Sequence, residues 1–270
     1  GLLPLVEHNV HFFRGLSPVN DPQRLRAILR DYSDPFAMQY VVGALQSIKI
    51  DRKPLSFVRL SVSNEETLDR ITRYTLLRLP DIGDMVLDLS EVPPEELWKT
   101  FSAKKGQRKF IRRFDENGFS VTEAESQEDL DQFYKYYAEN IKRIGGTLQP
   151  YSRIAELRDS MPDDVRITLL SKGPIVAGGM LMISDRSRRT LYTTYLSLNR
   201  DLPKTYHPSY YLWWEAINWA WDHHLEKVSF GAQRLEEDNP RYRIKYDFGA
   251  RFQPIHSGMI PLTKEFAMGL

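Results

Sequence analysis

Residues 166–196, RITLLSKGPIVAGGMLMISDRSRRTLYTTYL, hold three extended stretches that follow one another with short turns between them. Apolar and β-branched runs bounded by Gly, Pro and Ser are typical of strands. The pattern therefore predicts strands at 166–170, 175–183 and 190–196. Three neighbouring strands with short turns form an antiparallel meander. Gly178 and Gly179 in the middle strand indicate a bulge or a close backbone approach, or else a plain kink.

Helical patterns surround this meander. The helix predicted at 127–144 is the clearest, because its apolar residues recur at intervals of three and four. The other expected elements are a strand at 119–122, a helix at 152–160, an apolar helix at 210–224, a strand at 227–230 and an extended section at 242–260. We therefore expect an α+β fold, in which helices flank a mixed and mostly antiparallel sheet.

The first ninety residues show a second mixed pattern. It predicts strands at 10–13, 56–62 and 85–89 and helices at 21–28 and 64–77. A helical section opens at Pro93 and ends at Asn117-Gly118, and Gly106 can interrupt it. We expect a boundary near residues 91–96, which divides the chain into a front section, 1–92, and a domain, 93–270.

Composition excludes several classes of protein. The 270 residues carry a formal net charge of +1, so any attraction to nucleic acid or membrane must come from a local patch. The chain has no Cys, which excludes disulfides and Cys-ligated metals.

No stretch reaches the roughly 18 apolar residues that a membrane span needs, and no signal peptide precedes residue 10. We expect a cytoplasmic protein without stable membrane insertion. We expect no metal site, because the adjacent His223 and His224 point in different directions on a helix.

The order of elements from Phe119 onward resembles the GNAT acyltransferase fold, and a series of short motifs is similar to FemAB-type proteins. In chain order the motifs are Leu97-Trp98-Lys99 with the basic run Arg108 to Arg113, Asn117-Gly118-Phe119, Leu130 to Arg143, Ser209 to Asp222, Ser229-Phe230-Gly231, and Ile244-Lys245-Tyr246-Asp247-Phe248-Gly249-Ala250. In this sequence Ser229 replaces the Asp of the family's pattern, and Ile244 replaces its Phe.

This resemblance implies an enzyme that forms an amide bond between an activated aminoacyl or acyl donor and an amine acceptor. Some members of the family add amino acids from aminoacyl-tRNA to peptidoglycan precursors, and others use acyl-CoA. Either compound would be a donor substrate, so no tightly bound cofactor is implied, and tRNA is a possible partner. Many members have two tandem domains, so section 1–92 is expected to be an incomplete or degenerate second GNAT-like domain. The oligomeric state is left open.

The loop at 199–209 bears on the donor. Ordinary acetyl-CoA-dependent GNAT enzymes carry a Gly-rich loop here, whose backbone N–H groups hold a pyrophosphate. This sequence has no Gly in the loop, which makes acyl-CoA the less favoured donor. Arg200, Lys204 and Ser209, at the start of the helix, could still bind a phosphate.

Two residues are candidates for the chemistry. Lys245 matches the Lys of the closing signature, where a cation could stabilise an oxyanion or a donor phosphate. The alternative is a solvated Lys on a strand. Tyr195 ends the third meander strand, and its hydroxyl could orient substrate or act as an acid. The alternative is a Tyr at the edge of the core.

Further residues are candidates for substrate binding. Lys104, Arg108 and Arg112 are four residues apart, so a continuous helix would place them on one face, where they could follow phosphates. Arg143 could bind a carboxylate or phosphate, or merely stabilise the end of its own helix. Gln233 could offer its amide to a substrate or lie solvated in a loop. A protein without catalytic activity that grips RNA or an anionic partner with the basic helix is the hypothesis from another class.

Overall fold

The computed structural model describes residues 5–10, 13–18, 49–50, 53–54, 57–62, 77–78, 82–101, 106–146, 148–203, 205–235 and 238–264. The chain divides into two compact units. The first comprises Gly1–Asp84, Ala232–Glu236 and Phe252–Leu270, and the second comprises Met85–Gly231 and Glu237–Arg251. The sequence boundary at residue 92 stays a prediction. No helix in the described part of the chain is both long and apolar enough to cross a membrane.

The first unit is built on strands. They are β1 (Leu5–Val10), β2 (Phe13–Pro18), β3 (Lys49–Ile50), β4 (Lys53–Pro54), β5 (Phe57–Val62), β6 (Leu77–Arg78) and β13 (Arg251–Pro261, from Phe252 on). The sheet order is β1-β2-β5-β13, with β6 also paired to β13 and β3 paired to β4. Val10 pairs with Phe13, so the chain reverses where a strand at 10–13 was predicted, and that prediction was wrong. The helices predicted at 21–28 and 64–77 fall almost wholly outside the described residues, and Leu77 belongs to β6.

The second unit alternates helices with strands. Its elements are β7 (Ile82–Asp88, from Met85 on), α1 (Pro94–Thr100), α2 (Gln107–Glu116), β8 (Ser120–Glu123), α3 (Gln127–Arg143), α4 (Tyr151–Ser160), β9 (Val165–Lys172), β10 (Ile175–Asp185), β11 (Thr190–Leu198), α5 (Pro208–Asp222), β12 (Lys227–Arg234, to Gly231) and α6 (Pro240–Asp247).

The sheet of the second unit has the order β7-β12-β11-β10-β9-β8. The pairs β8–β9, β9–β10 and β10–β11 are antiparallel, and β11 pairs with β12 in parallel. The three-stranded meander and the mixed, mostly antiparallel sheet are therefore confirmed.

Gly178 and Gly179 reveal how the helices cover this sheet. A Cβ on Gly179 would lie 3.0 Å from the Phe133 ring of α3, whereas one on Gly178 would lie 3.4 Å from Leu212 of α5. Successive strand residues face opposite sides of a sheet, so α3 and α5 cover opposite faces. The same Cβ atoms would lie 2.5–2.6 Å from backbone carbonyl oxygens of the neighbouring strands. The register of β9 and β10 also shifts between Val176 and Gly178, so both the bulge and the close approach are present.

The local sequence explains the start and the buried face of α3. Ser126 accepts a hydrogen bond from the Asp129 backbone N–H, and the Asp129 carboxylate accepts one from the Ser126 backbone, which together form a capping box. From there Leu130, Phe133 and Tyr137 recur along one face and are almost fully buried against β9 and β10. Burial of such side chains contributes roughly 1.5–3 kcal/mol each, so this face fixes α3 to the sheet.

Near the ends of this unit, one sequence prediction is confirmed and another needs correction. Gly106 does interrupt the basic helical section, because α1 ends at Thr100 and α2 starts at Gln107. The section at 242–260 is not wholly extended, because α6 occupies Pro240–Asp247 before β13 begins. Asn239 starts α6 by accepting a hydrogen bond from the Arg241 N–H, and Pro240 suits the first helical turn.

Candidate functional site

An opening in the sheet lies between β11 and β12. Their parallel register pairs Thr190 with Lys227 and Tyr192 with Ser229 and ends there, although β11 continues to Leu198. At that point the Thr193 hydroxyl donates to the Ser229 carbonyl at 3.0 Å. Among the described residues of this unit, the register between the two strands does not extend beyond Tyr192 and Ser229. A gap of this kind can admit an extended substrate between two strands.

A bulge in β11 lies beside this opening. Leu181 pairs with Tyr195 and Met182 pairs with Thr193, so Thr194 is an extra residue on β11. A bulge leaves its extra residue out of the regular ladder. The Thr194 N–H is therefore a candidate donor to a carbonyl oxygen of a substrate, as oxyanion-stabilising groups are. The sequence did not indicate Thr194 as a site residue. A Thr in a strand carries no functional signal, and the register that makes Thr194 a bulge residue is set only when β10 and β11 pair.

Lys245 reaches the same region from α6. Its ammonium donates to the Gly231 carbonyl at 3.2 Å, and the side chain is only 9% exposed. Gly231, at φ +83°, ends the part of β12 in this unit, and a Cβ there would lie 3.8 Å from the Thr193 carbonyl. Lys245 is thus a buried helical cation, and the alternative of a solvated strand Lys was wrong. Its catalytic role stays a prediction.

Tyr195 follows the bulge and faces α3. Its ring centroid lies 5.2 Å from that of Tyr137, within the core cluster between α3 and the sheet. Burial, aided by Tyr137, raises the pKa of Tyr195 to about 12. The phenol therefore keeps its proton at neutral pH and is a hydrogen-bond donor there. This state fits an acid or an orienting group, and the assignment of that role remains a prediction.

Arginines from separate elements converge at the end of β11. The Arg200 guanidinium donates to the Asn140 side-chain oxygen at 3.0 Å, and Asn140 lies one turn before Arg143 on α3. Burial lowers the pKa of Arg200, and the cations Arg143 and Arg241 lower it further. None of the salt bridges among the described residues includes Arg143, Arg200 or Arg241. Cations that repel one another without a carboxylate partner suit an anionic ligand.

The start of α5 adjoins this group. His207 is the N-cap residue, no side chain caps the helix, and its first turn holds no acidic residue. Burial lowers the pKa of His207, and the neighbouring Arg113 and Arg200 lower it further. The first backbone N–H groups of a helix have no partner within it and favour anions. Ser209, in this first turn, is partly buried. The four arginines beside this end of α5 form the cationic rim (Arg113, Arg143, Arg200, Arg241).

The remaining predicted residues lie elsewhere. Arg108 donates to the Trp98 carbonyl at 2.8 Å and to the Lys99 carbonyl, so it ties α2 to the end of α1. The guanidinium groups of Arg108 and Arg112 each lie 5.8 Å from the centroid of the Trp98 ring. Lys104 and Lys204 fall outside the described residues. The prediction that Lys104, Arg108 and Arg112 share one helix face required a continuous helix. Because the helix is interrupted at Gly106, this condition is not met.

Gln233 was also predicted to bind substrate. It lies on β12 in the first unit, and its buried side-chain nitrogen has no hydrogen-bond partner among the described residues. Arg113 and Arg241 of the cationic rim were not among the predicted site residues. Both lie in charged stretches, and only the folded topology shows which charges converge.

A parallel strand pair that opens beside a bulge, with a helix starting at the rim, is the arrangement of an N-acyltransferase of the GNAT fold. A family model described as an acetyltransferase (GNAT) domain matches residues 102–242. The structure of FemX superposes with a TM-score of 0.63 at 11% identity, over 98% of this chain and 86% of that one. A tandem GNAT protein from the clavulanic acid biosynthesis pathway gives a TM-score of 0.55 at 11% identity, over 93% and 75%.

One curated relative is similar in sequence as well. It is the UDP-N-acetylmuramoylpentapeptide-lysine N(6)-alanyltransferase of Weissella viridescens, 26% identical over 168 residues, which are 61% of this chain and 48% of the relative. The match thus spans about half of the relative's length. The chain belongs to the GNAT acetyltransferase family.

Proposed function

We propose that this protein transfers an aminoacyl group from an activated donor to a primary amine and so forms an amide bond. The main support for the proposal is a series of contacts at the opening between β11 and β12. Lys245 bonds to Gly231, Gly231 lies against Thr193, and Thr193 adjoins the bulge at Thr194. A buried cation and the N–H of a bulge residue then adjoin the same gap in the sheet, which is what a developing oxyanion needs.

The step follows from these groups. The acceptor nitrogen attacks the donor carbonyl carbon, a C–N bond forms, and the carbonyl oxygen becomes an oxyanion that the Thr194 N–H and Lys245 stabilise. As the intermediate collapses, the bond from the carbonyl carbon to the ester oxygen of the donor breaks. Tyr195 donates a proton to this leaving oxygen and regains one from the nitrogen. The products are an amide and an alcohol.

The donor that we favour is aminoacyl-tRNA. Because aminoacyl-tRNA is a cytoplasmic compound, the proposed reaction takes place in the cytoplasm. The cationic rim supports this choice, because guanidinium groups bind phosphates in forked geometry. The loop at 199–209 lacks the Gly residues that would let backbone N–H groups wrap a pyrophosphate, so acyl-CoA is the second candidate. The name of the Weissella viridescens relative suggests the acceptor, a lysine side-chain amine in a peptidoglycan precursor.

The test offers both donors to the same acceptor. Purified protein is incubated with UDP-N-acetylmuramoylpentapeptide and either radiolabelled alanyl-tRNA or radiolabelled acetyl-CoA, and the acceptor is isolated and counted. The proposal predicts label from alanyl-tRNA and none from acetyl-CoA. Label from acetyl-CoA alone would establish the second candidate instead. Absence of label with both donors, also with a lysine-containing peptide as acceptor, would refute amide-forming transfer.

A further inference from the structure

The loop that leads into α5 rests on α2. The Arg113 guanidinium donates to the Thr205 carbonyl, and it lies 6.0 Å from the centroid of the Tyr206 ring. One turn earlier on α2, the Phe110 ring lies 4.2 Å from the His207 ring, centroid to centroid. Helix α2 therefore contacts the last residues before α5 through both a hydrogen bond and ring packing.

The first turns of α5 are held by the same helix. The Tyr211 hydroxyl donates to the Asp115 carboxylate at 2.8 Å, and Tyr211 is itself only 7% exposed. Phe114, which is fully buried, packs with its ring 5.6 Å from Tyr211 and 5.2 Å from Tyr206. A hydrogen bond to a charged group is among the stronger ones in proteins and is sensitive to geometry. Asp115 thus ties the first turn of α5 to α2.

The start of α5 has Pro208 in its first turn and the Tyr210 ring 5.7 Å from Phe248, but it lacks a side-chain cap. His207 makes no side-chain cap bond, and the loop before it has no Gly and thus cannot wrap tightly around a ligand. The first N–H groups of α5 and the neighbouring arginines of the cationic rim must nevertheless point at the same place to share one phosphate. The contacts from α2 meet this need, since they attach to both sides of the helix start.

We propose that α2 acts as the support that orients the donor-binding end of α5, with Asp115 as its main positioning residue and Arg113 as its second. This inference rests on the proposed function, which assigns the donor's phosphates to the rim. Asp115 acts through Tyr211 and touches no substrate. Its loss therefore weakens donor binding and leaves the chemical step at the β11 opening in place.

The test compares three variants. Asp115→Ala removes the acceptor of the Tyr211 bond, Asp115→Asn keeps an acceptor oxygen, and Asp131→Ala removes a bond of the same kind, from the Tyr151 hydroxyl to the Asp131 carboxylate at 2.6 Å. Asp115→Ala should raise the KM for the donor about ten-fold, the factor that corresponds to one hydrogen bond of this type, with kcat little changed. Asp115→Asn should restore most of the affinity, and Asp131→Ala should match the parent protein.

A second measurement needs no turnover. A short RNA oligonucleotide, titrated calorimetrically, should bind the parent protein and Asp131→Ala equally and Asp115→Ala about ten-fold more weakly. If no acyl transfer is found but this pattern holds, the proposed function fails and the positioning role stands. If Asp115→Ala does not fold, Tyr211→Phe takes its place, because it keeps the ring and removes the hydroxyl that donates to Asp115. Equal RNA affinity in all variants, no RNA binding to the parent protein, or an equal loss in Asp131→Ala would overturn the inference.

Discussion

Replacement of Lys245 by Met tests the reaction centre most directly. The Lys245 ammonium donates to the Gly231 carbonyl at 3.2 Å in a site where the side chain is 9% exposed. Met keeps most of the length and apolar volume of the side chain and removes the charge. Loss of one hydrogen bond costs about 1 kcal/mol, and relief from burying a cation offsets part of that cost. The free energy of unfolding should therefore change by less than about 2 kcal/mol.

The effect on the reaction should be larger than the effect on stability. Removal of one oxyanion-stabilising donor slows a reaction by roughly 100- to 1,000-fold, which is about 2.7–4 kcal/mol of transition-state energy. Since the Thr194 N–H remains in Lys245→Met, we expect a loss of at least about ten-fold. A single-turnover assay with excess enzyme measures the chemical step apart from product release.

The control for this prediction is Lys172→Met, which removes an exposed Lys from the β9 end of the same unit. It should leave both the rate and the urea midpoint of unfolding unchanged. A Lys245→Met protein that unfolds at the parent's urea concentration and reacts at the parent's rate would remove Lys245 from the site. A lowered rate that merely follows a lowered urea midpoint would also refute a catalytic role.

Two further predictions concern Tyr195 and Gly179. Because burial raises the pKa of Tyr195 to about 12, above its value of about 10 in the unfolded chain, its contribution to stability is complete below pH about 10 and is lost as the pH rises towards about 12. Tyr195→Phe should therefore lose less stability than the parent between those pH values in urea unfolding, and identical losses would contradict the shift. Gly179→Ala places a Cβ 2.5 Å from the Thr168 carbonyl and 3.0 Å from Phe133, so it should lower the free energy of unfolding by about 1–3 kcal/mol. Gly146→Ala, whose nearest contact is 3.4 Å, is its control, and equal stabilities would refute the overpacking.

The central sheet could be predicted because its signals are local. Strand β9 is marked by a turn at Gly173, and α3 by a capping box and an apolar stripe, so pattern and structure agree within a few residues. Local signals led to a wrong prediction for the region of α6. Tyr242, Ile244 and Tyr246 favour extended structure by residue type, yet Asn239 and Pro240 start a helix, and Lys245 is buried against the end of β12. Asn239 and Pro240 are a helix-start signal in the sequence, but the extended residue types that follow them obscure it.

The site could be predicted only in part, for a topological reason. Arg143 and Arg200 were predicted and do influence each other, because α3 and the end of β11 meet through Asn140. Arg113 and Arg241 are far apart in sequence, and nothing in either local pattern shows that Arg113 lies near His207 or that Arg241 lies near Arg200. The bulge at Thr194 depends on the register between β10 and β11, which a single strand does not encode. The convergence of charged side chains and the register of two strands both arise only when separate elements of the fold come together.

The loop without Gly has a consequence for the donor. Backbone N–H groups of a Gly-rich loop hold a phosphate only if it approaches the backbone closely. Arginine side chains are long and carry their charged groups away from the backbone, so the cationic rim can reach a phosphate that remains outside the opening. The rim also comes from four separate parts of the fold, α2, α3, the segment before α5, and α6. Such a surface suits a phosphodiester within a longer polymer better than the compact pyrophosphate of CoA, which is the physical reason to rank aminoacyl-tRNA first.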